Sequence, residues 1–201
     1  MTQNDPVLSK RILDLSLAGV LAVPALAVCL LIAPVIAIEV RGSPLFRQTR
    51  VGRYGVSFRI WKLRTMAVAT PDGASHEIGV ATVTRSGRWI RRLKLDELPQ
   101  LWNVLRGDMS FVGPRPCLPS QDALIEARRN LGVLALTPGI TGVAQVDGLD
   151  MSDPARLALA DSAYCGSWSL RHDVCLLLRT FAGHGGGDAA AGPRDDKGLS
   201  R

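Results

Sequence analysis

From Leu15 to Ile38 the chain carries no charged residue. About 20 residues of helix suffice to cross a hydrocarbon core of about 30 Å. A charge-free helix of this length is unusual inside a soluble protein, so the run predicts a membrane insert. It also accounts for a hydrophobic share of 47% in a chain with 21% charged residues. A cleaved signal peptide fits less well, because the run exceeds the usual apolar region of roughly 7–15 residues. A lipoprotein cleavage site at Cys29 would want a small residue where Val28 stands.

The flanks decide how the insert sits. Lys10 and Arg11 precede it, and Arg41, Arg47, Arg50 and Arg53 follow it. Positive flanks stay cytoplasmic, and here both ends are positive. One straight span cannot satisfy that; a re-entrant helix–break–helix can. Pro24 can supply the break because it has no N–H and clashes with the preceding turn, and Pro34 is a second candidate. A single span with a modest kink is the alternative.

Beyond the insert the pattern changes. Leu45–Gln48 and Ser57–Arg64 alternate apolar and polar residues around Gly52 and Gly55, which predicts a β-hairpin. Phe58, Ile60 and Trp61 compete for its inner face, and Arg59, Lys62 and Arg64 offer cations to solvent or to phosphates. Residues 67–82 read as a loop. Residues 83–94 read as an amphipathic helix with Trp89, Ile90 and Leu93 on one side and Arg85, Arg88, Arg91 and Arg92 on the other. Beside an anchor it suits a membrane interface, although an ordinary solvated helix has the same pattern. Further on, a helix is expected over residues 120–136 with Asp122, Glu126, Arg128 and Arg129 exposed. Val143–Val146 suggests a short strand. Helices are expected over Asp153–Tyr164, with Pro154 first, and Asp173–Phe181. Residues 1–9 and 183–201 are polar and read as flexible ends.

The central stretch is Lys94–Pro116, KLDELPQLWNVLRGDMSFVGPRP. With Asp96 as N-cap, Pro99 falls in a first turn that needs no N–H partner. Leu98, Leu101, Trp102 and Leu105 then share a face, and Gly107 ends the helix. Asp96 and Glu97 would lie at the positive end of the dipole, where carboxylates and phosphates are favoured. Taken alone, the pair is better explained by plain capping and dipole complementation, because acids are enriched in first turns generally.

The net charge of +6 points to anionic partners. No base-stacking platform or recognition motif for nucleic acid is present. Cys29, Cys117, Cys165 and Cys175 form no Cys-x-x-Cys pair, and His76, His172 and His184 are scattered, which argues against zinc. Carboxylates and cations (Lys62, Arg64, Arg88, Arg115) beside glycine turns point to phosphoryl chemistry assisted by Mg²⁺. A carboxylate can itself be the nucleophile.

Several ordered segments resemble the monotopic phosphoglycosyl transferases, the bacterial sugar transferases that start polyprenyl-linked glycan assembly. They are Lys10-Arg11-Ile12 with Asp14, Leu45-Phe46-Arg47-Gln48, and Lys62-Leu63-Arg64-Thr65-Met66. The most specific are the DELPQLWNVL and GDMSFVGPRP segments. Pro138–Gly142 with Ala144-Gln145-Val146, and Asp161 with Tyr164, complete the set. The chain departs from the pattern at Val23-Pro24, where a Ser-Pro pair is usual, at Thr137, where an arginine is frequent, and in the diluted acidity around Leu159-Ala160-Asp161.

The resemblance implies an α+β, mostly helical fold with a re-entrant membrane helix broken at Pro24, a small β-hairpin and interfacial amphipathic helices. Residues 10–182 would form one sugar transferase domain, with the insert at 10–40 and the catalytic part at 41–182 on the cytosolic face of the bacterial inner membrane. Asp96 would attack the sugar-bearing phosphorus of a nucleotide diphosphate sugar, usually a UDP-sugar, and release UMP. Polyprenol phosphate (undecaprenyl phosphate) would then take the phosphosugar, with Glu97 activating or positioning it. Mg²⁺ would sit near Asp96. Arg115, and with less support Lys62, Arg88 and Gln145, would bind substrate phosphate, and Asp161 matches a family acid with no assigned role. A non-catalytic, membrane-anchored scaffold for a glycan-assembly complex is the rival reading, which would make Asp96 dispensable.

Overall fold

The computed structural model describes residues 6–68, 83–149 and 151–183. The loop around Thr70–Gly73 and the tail from His184 lie outside the described residues. The order of elements is α1 (Pro6–Val40), β1 (Leu45–Val51), β2 (Ser57–Leu63), α2 (Arg85–Arg92), α3 (Leu101–Arg106), β3 (Ser110–Val112), α4 (Asp122–Asn130), β4 (Gly139–Thr141), α5 (Val143–Val146), α6 (Pro154–Ser167) and α7 (Leu170–Phe181). The fold is mostly helical, with two small two-stranded sheets.

Helix α1 is long and apolar enough to cross a membrane. It begins at Pro6, so residues expected to be loose already belong to it, and it runs continuously through Pro24 and Pro34. The expected interruption at Pro24 therefore does not divide the helix into two elements. One stripe of α1 packs on the rest of the chain. Asp14, Ala18, Ala25, Ile36 and Val40 are buried, whereas Val20, Val23, Leu26, Leu31 and Ile38 are exposed. The i, i+4, i+7 recurrence of the buried set is that of one helical face.

Both ends of α1 are tied to the same body by polar contacts. Near its start, the Arg11 guanidinium donates to the carbonyls of Val104 (2.6 Å) and Leu105 (2.7 Å) in the last turn of α3. Asp14 accepts from Ser110 Oγ and the Phe111 N–H, each at 3.0 Å. Lys10 donates to Asp173 of α7 at 2.6 Å, and the Tyr164 hydroxyl donates to the same carboxylate at 2.6 Å. At the other end Glu39 accepts from the Arg85 N–H (2.7 Å), the Ser86 N–H (3.1 Å) and the Ser86 hydroxyl, at the first turn of α2.

The β-hairpin forms as the alternation predicts, with β1 and β2 antiparallel from Leu45↔Leu63 to Val51↔Ser57. Its inner face is more polar than expected. Phe58, Ile60 and Lys62 point the same way by the period of two, and Lys62 is buried along with Gln48 and Arg50 of β1. The second sheet pairs β3 with β4 in parallel. The strand expected at Val143–Val146 is a short helix; the strand instead occupies Gly139–Thr141 just before it.

The main apolar cluster joins Ala18 and Ala25 of α1 to Ile60, Leu101, Val104, Met109, Phe111 and Val112. At about 1.5–3 kcal/mol per fully buried large apolar side chain, this cluster is what seats α3 and β3 on α1. Helix α3 ends at Gly107, whose φ of 92° suits glycine. Asp153 caps α6 by accepting from the Arg156 N–H at 3.0 Å.

Candidate active site

The acid pair does not sit as expected. The chain leaves α2 through Lys94, which adopts a left-handed conformation (φ 55°), and enters a 3-10 turn over Leu95–Gln100, LDELPQ. Lys94, not Asp96, occupies the cap position, and no side-chain cap bond is made. Pro99 lies within this turn, and α3 starts only at Leu101. The helix dipole is therefore not what keeps the pair charged.

Cations from neighbouring segments stand beside the pair instead. Asp96 is 8% exposed. Burial pushes its carboxyl up to about 6, the charge of Glu97 adds to this, and Lys62, Arg91 and Arg115 oppose it. Glu97 accepts from Arg115 Nη2 at 3.0 Å and stands 3.7 Å from Lys62 Nζ. Two acids and three cations thus converge from β2, α2, the 3-10 turn and the Gly113–Pro116 turn.

That last turn is locked by close backbone approach. Gly113 N–H donates to Thr141 O (2.8 Å), and Gly139 N–H donates to Pro114 O (2.9 Å). A Cβ on Gly139 would come within 2.1 Å of Gly113 N, and one on Gly142 within 2.3 Å of Gly113 O. The two glycine turns are in contact because neither carries a side chain there. Gln145 follows in α5, with its amide oxygen beside Gly142. Its amide nitrogen and oxygen are both buried without a hydrogen-bond partner.

Of the other expected residues, Arg88 is exposed on α2. Asp161 does not line the acids: it is buried and paired with Arg128 at 2.7 Å behind the turn. Arg128 itself, expected on the surface, is 3% exposed. Asp108 turns toward Asn103 (3.3 Å) and Arg106 (3.6 Å).

Arg91 is the residue that sequence reasoning missed. Its Nε donates to Thr65 Oγ1 at 2.8 Å, and its Nη1 is buried without a partner. Gly87 was the available signal. A Cβ there would meet Thr65 O at 2.3 Å, so Gly87 marks the face of α2 that touches the segment just after β2. Ile90 and Arg91, three and four residues on, share that face. Trp89 and Leu93 point outward instead, each 62% exposed.

A groove of about 520 Å³ opens beside the acids between α1 and the central stretch, lined by Ala25, Leu26, Trp61, Leu98, Pro99 and Trp102 among others. Leu98 and Pro99 directly follow Glu97, so a charged site and an apolar channel adjoin. Among the described residues no three His, Cys, Asp or Glu side chains come together. The adjacent carboxylates Asp96 and Glu97 are instead the kind of donor set that shares a divalent cation with substrate phosphates. Asp96, held high by burial and by its neighbour, is the group whose ionisation such a cation would favour.

An apolar helix long enough for a membrane thus has buried acids and convergent cations at its side, an arrangement suited to an enzyme that handles phosphorylated groups. The sequence matches the bacterial sugar transferase family over residues 6–184. It is 44% identical to the UDP-glucose:undecaprenyl-phosphate glucose-1-phosphate transferase of Caulobacter vibrioides, covering 86% of this chain and 68% of that protein. It is 35% identical to the uncharacterized sugar transferase EpsL of Bacillus subtilis, covering 85% and 84%. It is 41% identical to the undecaprenyl-phosphate glucose phosphotransferase of Komagataeibacter xylinus, covering 87% of this chain but only 35% of that longer protein. The chain belongs to the bacterial sugar transferase family and is a phosphoglycosyl transferase.

Proposed function

We propose that this enzyme moves a sugar 1-phosphate from a UDP-sugar to polyprenol phosphate in two steps through Asp96. The carboxylate attacks the phosphorus that carries the sugar. The P–O bond to the nucleotide's own phosphate breaks, UMP leaves with the electron pair, and the phosphosugar stays on Asp96. An oxygen of polyprenol phosphate then attacks the same phosphorus, and the Asp96 carboxylate departs. Glu97 orients or activates the acceptor phosphate.

The observation that carries this reading is the buried Asp96 among Lys62, Arg91 and Arg115. A carboxylate approaching a diphosphate meets repulsion, and preorganised cations are the physical answer. Arg115 and Arg91 hold donor phosphate oxygens, Lys62 balances the acids, and Gln145 and Arg88 contribute more peripherally. Mg²⁺ bound by Asp96 together with substrate phosphate would supply further positive charge to the diphosphate.

The acceptor's isoprenoid fits the apolar groove beside Leu98 and Pro99, which leaves its phosphate at the acids. Residues 10–182 act as one unit, with the insert re-entrant at Pro24 and both flanks on the cytosolic face of the inner membrane. The contacts at both ends of α1 with one body support that topology. Helix α2 with its C-cap Leu93, and helix α7, present Trp89, Leu93, Leu178 and Phe181 outward, which suits the interface.

The test is UMP release from a panel of UDP-sugars in the presence of polyprenol phosphate, beginning with UDP-glucose, the donor in the Caulobacter relative's name. Asp96→Asn should abolish release. Near-normal transfer by that variant would overturn the mechanism and favour a scaffold.

A further inference from the structure

Four successive carbonyls of the turn that carries Arg115 are individually held. Pro114 O accepts from Gly139 N–H (2.9 Å), and Arg115 O accepts from Arg128 Nη1 (2.8 Å). Pro116 O accepts from Arg50 Nη1 (3.2 Å), and Cys117 O accepts from Val51 N–H (2.9 Å). Two of the four donors are backbone groups fixed by the fold. The other two are buried arginine side chains, which need something else to aim them. Gln48 Oε1 aims Arg50 by accepting from its Nη2 at 2.6 Å.

Asp161 aims Arg128. Its Oδ2 accepts from Nε at 3.0 Å and from Nη2 at 2.7 Å, so the guanidinium is gripped on one edge while Nη1 reaches the Arg115 carbonyl. Arg128 is 3% and Asp161 2% exposed. A buried ion pair is a poor stabiliser compared with apolar residues of the same volume, so stability alone is a weak reason for one here. A planar fork that binds a carboxylate on one side and a carbonyl on another is specific to arginine.

We propose that Asp161 and Arg128 are a positioning pair: they set the backbone of Arg115 so that its guanidinium meets both Glu97 and the donor diphosphate. The pair touches neither substrate nor the reacting carboxylate; it works through one carbonyl. This rests on the reading of Arg115 as a phosphate-holding residue.

A double-mutant cycle tests it. UMP release from UDP-glucose and polyprenol phosphate is measured for Asp161→Asn and Arg128→Lys, each in the native and the Arg115→Ala background. In the native background each variant should lose roughly tenfold to a hundredfold in turnover, the scale of a misplaced positioning contact. In the Arg115→Ala background the same changes should cost less than about twofold, because the residue they position is gone. Equal losses in both backgrounds would overturn the proposal and leave the pair as packing only. If Asp161→Asn does not fold, Arg128→Lys, which keeps the charge, carries the cycle alone. A native enzyme that releases no UMP from any UDP-sugar would instead bring down the transferase mechanism, and this role with it.

Discussion

Arg115 and Glu97 are joined by a 3.0 Å ion pair, so the arginine proposed for donor phosphate rests on the acid proposed for the acceptor. In the proposed reaction a phosphate entering beside Arg115 would compete with Glu97 for the same guanidinium and turn that acid toward the second substrate. The two proposed half-reactions would thereby be linked through one contact.

Glu97→Gln should separate them. The variant keeps the shape and loses the charge, so it should still form the phosphosugar on Asp96 and release one equivalent of UMP. Multiple turnover should fall by about 10²- to 10⁴-fold, the usual span for a lost acid–base group. Rapid-quench measurement of UMP and lipid product checks it; equal loss in both steps would place Glu97 in the first reaction instead.

The raised Asp96 carboxyl gives a pH dependence with a definite sign. Its folded value of about 6 lies above the ordinary 3.8, so the folded state binds the extra proton between those values. Stability falls as pH rises through that window and stays lowered at neutral pH. Asp96→Asn should then raise unfolding stability at pH 7.5 by about 1–3 kcal/mol, and by little below pH 4. The first half-reaction needs the ionised form and should drop about tenfold per pH unit below 6. Melts in detergent and a rate profile from pH 5 to 8 test both.

Arg91 and Arg88, one turn apart on α2, should behave differently. Arg91→Ala should lower turnover by at least about tenfold, as expected for a lost charge-assisted phosphate contact. Arg88→Ala should change it by less than about threefold, since its side chain is exposed. The reverse order would return the phosphate role to Arg88.

Gly139→Ala should destabilise by about 2 kcal/mol or more, because the new methyl meets Gly113 N at 2.1 Å. Gly166→Ala in α6, with no atom within 4 Å of the added carbon, should instead stabilise by about 0.5–1 kcal/mol. Urea unfolding of the two variants side by side distinguishes a steric lock from a general preference.

For topology, single cysteines at Asp5→Cys and Ser43→Cys in a functional cysteine-free background should both label from the cytosolic side only. Labelling of position 5 from the periplasm would establish a spanning insert.

Local signals were legible and long-range ones were not. The hairpin followed from alternation, the end of α3 from Gly107, and the start of α6 from Asp153-Pro154. Arg128 looked solvent-facing because its partner Asp161 lies 33 residues away, beyond any periodic pattern. The wheel for α2 grouped Arg91 with the outward arginines because nothing nearby in sequence announces Thr65. Pairing of β3 with β4 depends on glycines whose closeness appears only once the two turns meet. The acids stood out in the sequence through the DELPQ segment, whereas the capping geometry drawn for them did not form: Asp96 caps nothing, and burial raises its carboxyl against the pull of Lys62, Arg91 and Arg115.

Glu39 caps the first turn of α2, and Arg11 caps the last turn of α3. Everything between those two turns, including Asp96 and Glu97, is strung like a bridge deck between two piers that belong to the same helix. The position of the two carboxylates is then fixed relative to both ends of α1. With α1 inserted as proposed, a bilayer of different thickness would move the piers, and turnover should track membrane thickness.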